Sequence, residues 1–223
     1  MIDIEKNKTT FINLYNKYIT PNYQGADRLL EWICGTDFFT APCSTKYHLA
    51  CDGGLCDHSL RVAECLKHLI YEYYGNIEKD EAAQVKLDAD MNSIMFVGLL
   101  HDLCKCDCYV PAYFNKKEYT ELGNLKDEGG KYRWVAEKGY KYEPKFYFGH
   151  GAKSIFIIQN FIQGVSLTEA QAIRYHQGGR EDAPSNVCEN GITEVFNGNQ
   201  LAFWLHTADM IATYHYEAND EFN

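Results

Sequence analysis

The chain has 223 residues, of which 46% are hydrophobic and 23% are charged. These fractions are typical of a globular protein with a sizeable core, and they exclude a disordered chain, a collagen-like chain and a small disulfide-bonded scaffold. The net charge is −10. That charge argues against long duplex nucleic acid as a partner, because such binding depends on many basic contacts to phosphate. It is compatible with a small phosphorylated substrate held by a metal.

No apolar run approaches the ~18 residues that a membrane-spanning helix needs. The N-terminal segment carries acidic residues and has no apolar core of signal-peptide length. We therefore expect a cytoplasmic protein with no membrane partner. The cysteines number nine, an odd count, and in that compartment they are expected to be free thiols. Cys104, Cys106 and Cys108 lack the paired CxxC spacing typical of zinc sites.

Apolar residues at helical spacing predict one or two helices over residues 9–35, with an interruption at Pro21. A second helical segment is predicted over residues 57–74 and ends at Gly75. The next helix, over residues 92–106, is apolar nearly all round in its first part. Such a helix is expected to be central and buried.

Residues 108–148 differ in character from the rest of the chain, because they are dense in aromatic residues and lysine. Tyr132 and Trp134 alternate with charged residues, which predicts a β-hairpin inserted into a helical protein. Residues 115–145 hold eight basic and six acidic side chains, so this insert is mildly positive within a negative chain.

Helices are predicted again after the insert, the first over residues 151–163. Ser166 and Glu169 have the spacing of a capping box, which predicts the start of a helix that runs to His176. The last helix is predicted over residues 198–217. The expected fold class is therefore mainly α with one small β insert.

His101 and Asp102 interrupt the most hydrophobic helix of the chain. Burying an ionised aspartate without a partner costs several kcal/mol or more. A cation bound by the imidazole and the carboxylate removes that cost, so the pair indicates a metal site. A plain buried His–Asp hydrogen bond is the alternative for an isolated pair of this kind.

Other histidine and aspartate residues occur at helix ends or on apolar faces. We call these residues together with His101 and Asp102, taken in their order along the chain, the ordered set. The ordered set, with its surroundings, resembles the HD superfamily of metal-dependent phosphohydrolases over residues 53–213, about three quarters of the chain. The matching segments are GGLCDHSLRV (His58), LLHDLCK (His101, Asp102), GHGAKS (His150), IRYHQGG (His176) and ADMIATY (Asp209).

The resemblance implies a helical HD domain over residues 1–223, with its core at about 45–217 and the aromatic insert at about 108–148. It also implies two metal ions, with Asp102 bridging them. His58, His101, Asp102 and Asp209 would form the first site, and His150 and His176 would complete the second. Nitrogen and oxygen donors suit Mn, Fe, Zn, Co or Ni and do not choose among them.

Further residues are candidates by position. Lys105 lies four residues after His101, so a continuous helix would place both on one face. The resemblance implies that this lysine lies near the substrate phosphate or the bridging aspartate. His48 precedes the first ligand where related enzymes often have a substrate-contacting histidine, and Arg180 follows the turn after His176. His206 shares a helix face with Asp209 and is expected to support it.

The expected function is that of a metal-dependent phosphohydrolase or phosphodiesterase acting on a nucleotide or short oligonucleotide. Asp102 and Lys105 are the predicted catalytic residues, and His48, Lys105 and Arg180 the predicted substrate contacts. Two alternatives stay open at this point. One is a di-iron oxygenase with the same ligands, and the other is a non-catalytic nucleotide-binding protein.

Overall fold

The structure, a computed structural model, describes residues 2–178 and 188–217. This part of the chain is mainly α-helical with one small antiparallel sheet, which confirms the predicted fold class at that level. The helices are α1 (Ile4–Tyr18), α2 (Ala26–Gly35), α3 (Gly54–Tyr74), α4 (Glu81–Leu87), α5 (Met91–Leu100), α6 (His150–Gln159), α7 (Leu167–Arg174), α8 (Cys188–Gly198) and α9 (Gln200–Ile211). The strands are β1 (Tyr109–Tyr119), β2 (Leu125–Asp127) and β3 (Gly130–Tyr142).

Side-chain caps fix several helix starts. The Asp90 carboxylate accepts a hydrogen bond from the Ser93 backbone N–H at the start of α5, and Asn199 caps α9 in the same way. The predicted capping box is present, with Ser166 and Glu169 bonded reciprocally. Asp80 caps α4, a helix that has no counterpart in the sequence prediction; α8 has none either.

The prediction of one continuous helix over residues 92–106 is wrong. α5 ends at Leu100, and a short 3-10 turn, Leu103–Lys105, follows. Asp102 leaves the helical conformation at φ −107° and ψ 18°. The last predicted helix is also interrupted, because α9 gives way to a π-helical turn at Ala212–Glu217.

α5 lies at the centre of the helical body and packs against α1, α3, α7 and α9. Its buried residues are almost all apolar, as its sequence predicts. The backbone at Gly98 lies close to α3, because a Cβ added to this glycine would lie 2.7 Å from the Ala63 Cα. Two small residues at this crossing therefore let the backbones of α3 and α5 come close together, which brings the ends that carry His58 and His101 into reach of each other.

The insert forms a three-stranded sheet with the order β1-β3-β2, so the predicted hairpin gains a short third strand. We call residues 109–142 the arm. β1 and β3 pair from Tyr109↔Tyr142 at the base to Tyr119↔Tyr132 at the tip. Most arm side chains are exposed, but Tyr140 is buried at the base and its hydroxyl donates to Asp52.

Candidate metal centre

The fold brings together the six residues with the predicted ligand pattern, although they lie on five separate segments. We call them the His–Asp cluster. They come from the start of α3 (His58), the end of α5 (His101, Asp102), the start of α6 (His150), the turn after α7 (His176) and the second half of α9 (Asp209). Among them, His58, His101, Asp102 and His176 are each at most 1% exposed.

The first group of donors within the cluster is His58, His101 and Asp209. The His58 Nε2 lies 3.2 Å from the Asp209 Oδ1 and 3.3 Å from the His101 Nε2. One donor atom from each residue lies within 4.8 Å of the others. Two imidazoles and a carboxylate at this separation can hold a divalent cation.

The second group of donors surrounds the other side of Asp102. The His150 Nε2 lies 2.6 Å from the Asp102 Oδ1, and the His176 Nε2 lies 3.4 Å from the same oxygen. Donor atoms of His101, Asp102 and His176 lie within 4.8 Å of one another, and so do those of Asp102, Cys104 and His150. The buried His176 Nε2 has no hydrogen-bond partner in the described part of the chain, which suits a nitrogen whose partner is a metal.

Asp102 lies between the two groups and turns a different oxygen toward each. Its Oδ1 faces His150 and His176. Its Oδ2 lies 3.6 Å from the His58 Nε2 and 3.5 Å from the His101 Nε2. A carboxylate in this position can ligate two cations at once, one through each oxygen.

Hydrogen bonds outside the cluster orient three of its histidines. The Nδ1–H of His101 donates to the Gly98 carbonyl at 2.8 Å, and that of His176 donates to the Ile173 carbonyl at 2.7 Å. The His58 Nδ1 lies 2.8 Å from a Glu217 carboxylate oxygen. In a neutral imidazole, a proton held on Nδ1 leaves Nε2 as the unprotonated nitrogen that faces the cluster, and this is the tautomer that a metal ligand needs.

The ionisable groups of the cluster shift in different directions. Burial alone would lower the pKa of His58 and His176, but Cys43, Asp209 and Glu217 hold that of His58 well above its usual value, and Asp102 raises that of His176. Burial alone would raise the pKa of the Asp102 carboxyl, but Lys105 and the surrounding histidines outweigh burial and hold that pKa well below its usual value. Burial lowers the pKa of His101 to about 3, so its imidazole is neutral. At neutral pH the cluster therefore offers an ionised carboxylate beside a neutral imidazole.

Lys105 reaches Asp102 by a different route from the one predicted. It lies in the 3-10 turn and not on a continuation of α5, and its Nζ donates to the Asp102 Oδ2 at 2.7 Å. Burial alone would lower the pKa of Lys105, but the adjacent carboxylate holds it well above its usual value. The ammonium is thus a permanent buried charge at the edge of the cluster.

His48 also lies beside the cluster. Its Nε2 is 3.3 Å from the Cys43 Sγ, and its ring centroid is 5.2 Å from that of His58. Burial lowers its pKa to about 4, so the ring is neutral and can accept or donate one hydrogen bond. Arg180, the other predicted substrate contact, lies outside the described residues.

Two residues at the cluster were not singled out from the sequence. Glu217 is fully buried and supports His58, while the buried Cys43 Sγ lies 3.4 Å from the Lys105 Nζ. Glu217 follows Asp209 by eight residues and lies buried at the end of the π-helical turn. The one available signal was an acidic residue at the end of an apolar helix.

His206 contacts a different residue of the cluster from the one predicted. Its Nδ1–H donates at 2.6 Å to the backbone carbonyl of His176, so it ties α9 to the turn after α7. The cysteines whose side chains are described are free thiols, as expected. Cys104, Cys106 and Cys108 are buried, and within the described chain they do not form a three-thiolate group.

No family model, curated protein or solved structure matches this chain. Among residues 2–178 and 188–217, no helix combines the length and the apolar character needed to cross a bilayer. The structure itself contains buried groups of histidine, aspartate and cysteine residues that can hold metal ions.

Proposed function

We propose that this protein is a metal-dependent phosphohydrolase or phosphodiesterase of the HD superfamily, acting on a nucleotide or a short oligonucleotide. One observation carries the proposal: the two oxygens of Asp102 face two different sets of imidazole donors. A buried His–Asp hydrogen bond would need one partner for this carboxylate. Imidazole donors beside both of its oxygens support a carboxylate that bridges two cations.

Two divalent cations bound here would neutralise charge on phosphate oxygens and lower the pKa of a bound water to near neutrality. The protein's own residues supply the rest. Lys105 keeps Asp102 ionised and adds a positive charge where a phosphate would approach. His48 presents a neutral ring beside the first group of donors, and we expect it to hydrogen-bond a substrate oxygen.

The test is metal content together with hydrolysis of a small phosphodiester. Wild type, Asp102→Ala and Glu169→Gln are compared by elemental analysis and by cleavage of bis(p-nitrophenyl) phosphate in added Mn²⁺. Glu169 is a buried carboxylate that bonds Ser166 and Ser93 near the opposite end of α5, which makes it a matched control. Circular dichroism checks that each variant keeps its helices.

We expect about two metals per chain in wild type and in Glu169→Gln, with Mn²⁺-dependent cleavage in both. Asp102→Ala should lose the second metal and reduce turnover to background. Turnover retained in Asp102→Ala contradicts the proposal. Two irons without phosphodiester cleavage would favour an oxygenase instead, and a protein that binds no metal would favour a non-catalytic nucleotide-binding role.

A further inference from the structure

The two faces of the arm differ in composition. Cross-strand neighbours in an antiparallel pair share a face, and side chains alternate between faces along each strand. The register Tyr113↔Lys138, Lys117↔Trp134 and Tyr119↔Tyr132 therefore places these side chains on one face. We call it the aromatic face. Ring contacts agree, because the Tyr132 centroid lies 5.9 Å from Tyr119 and 5.8 Å from Trp134.

The opposite face carries paired charges and one aromatic ring. Lys116 pairs with Glu137 and Arg133 pairs with Glu118 across the strands. Glu118 and Glu137 are the acidic residues of β1 and β3, so both lie on this face. Phe114 is its aromatic residue and is 48% exposed. This face has the composition of an ordinary solvated strand surface.

The aromatic face is exposed beyond its base. Tyr113 is 75% exposed, Tyr119 53% and Trp134 51%. Exposed aromatic rings grouped on one face are unfavourable in water unless a partner covers them. Within the described chain, the helical body covers only the base of this face, at Tyr109 and Tyr140.

Lysines lie among these rings. The Lys117 Nζ is 4.5 Å from the Tyr132 ring centroid and 5.8 Å from that of Trp134, and it also pairs with Asp127 at 2.7 Å. Lys138 lies opposite Tyr113. Flat rings for base stacking, interspersed with ammonium groups for backbone phosphates, are the features that single-stranded nucleic acid requires.

The base of the aromatic face is linked to the His–Asp cluster through Cys43 and Lys105. The Tyr109 hydroxyl donates to the Cys43 carbonyl at 3.1 Å, and the Cys43 Sγ lies 3.4 Å from the Lys105 Nζ. From this base, β1 extends about 33 Å to Tyr119 at ~3.3 Å per residue. A single nucleic acid strand bound along the arm would therefore have one end near the His–Asp cluster.

We propose that the aromatic face of the arm binds a short single-stranded oligonucleotide, with bases stacked on Trp134 and the neighbouring tyrosines and one end directed to the His–Asp cluster. This inference rests on the proposed function, whose substrate class it narrows. A flexible single strand suits the chain's negative charge better than a duplex, because stacking supplies binding that phosphate contacts alone would not.

The test measures binding separately from turnover. Fluorescence anisotropy of a labelled oligodeoxythymidine of about ten nucleotides, a length within the range such surfaces bind, is recorded in EDTA with wild type, Trp134→Ala and Phe114→Ala. Phe114 is the matched control because its exposure is similar and it lies on the opposite face. The same variants are assayed for cleavage of bis(p-nitrophenyl) phosphate in Mn²⁺ and for oligomeric state.

We expect Trp134→Ala to weaken oligonucleotide binding by about tenfold, the effect of losing one stacked base. Phe114→Ala should change it by less than about twofold, and both variants should cleave the small phosphodiester at the wild-type rate. A wild type that does not bind the probe overturns the inference, as do equal losses in both variants. A dimer that Trp134→Ala dissociates also overturns it, because the face would then be an interface between copies.

The two proposals fail in distinguishable ways. Cleavage of the small phosphodiester without oligonucleotide binding rejects the role of the aromatic face and leaves the hydrolase standing. Binding that depends on Trp134, without any phosphodiester cleavage, rejects the hydrolase and leaves a single-strand-binding surface.

Discussion

The helical body and the arm both contain networks of paired charges, but their surroundings differ. In the body, Asp102 and Lys105 form an ion pair with side chains 1% and 9% exposed. On the arm, Glu137 and Lys116 form one with side chains 51% and 60% exposed. Removing one partner of a buried pair leaves an uncompensated charge in a medium that solvates it poorly, whereas water replaces a lost surface partner. Loss of one charged partner is therefore expected to cost much more stability in the body than on the arm.

The largest effect on stability is expected from Lys105→Met, because the buried Asp102 carboxylate loses its closest cation. In the metal-free protein, we expect the free energy of unfolding to fall by about 3 kcal/mol. Folding lowers the pKa of Asp102, so the stability gained from its ionised form is present above about pH 4 and is lost as the pH falls through the folded-state pKa. Urea unfolding of wild type and variant in EDTA measures the difference.

Added Mn²⁺ provides the control for this prediction. A cation bound at Asp102 would restore part of the lost stability, since it replaces the positive charge of the ammonium. A fall of less than about 1 kcal/mol in EDTA would show that the histidines alone compensate the carboxylate, and it would contradict the prediction.

An intermediate effect is expected from Glu217→Ala, which removes the partner that holds the His58 ring. Loss of such a supporting carboxylate typically weakens metal binding by about 10–100-fold. Glu217→Gln keeps an oxygen that can accept from the His58 Nδ1, so its loss should be smaller. Competition with a coloured chelator measures the affinity of all three proteins, and equal affinities in wild type and Glu217→Ala would count against a supporting role.

The smallest effect is expected from Lys116→Met on the arm. Its pair with Glu137 is solvent-exposed and screened by salt, so we expect a change in unfolding free energy below about 0.5 kcal/mol. The same urea experiment used for Lys105→Met measures it. A loss comparable to that of Lys105→Met would remove the distinction between the two networks.

The sequence alone predicted much of what depends on near neighbours along the chain. The capping box at Ser166 and Glu169, the apolar character of α5 and the strand alternation around Trp134 are set by a few adjacent residues. The six residues of the His–Asp cluster were singled out on a different basis, because their order along the chain and their surroundings resemble a known family pattern. Each member is an ionisable residue in an apolar or helix-terminal position, where burial without a partner is costly.

Only the tertiary structure decided how these segments meet. Glu217 bonds His58 from 159 positions away, a contact that no local pattern encodes. The end of α5 at Leu100 allows Asp102 to turn one oxygen toward each set of histidines, and the close approach of Gly98 to Ala63 draws α3 and α5 together. Local propensity acts over a few residues, whereas the orientation of a buried side chain depends on every element packed around it.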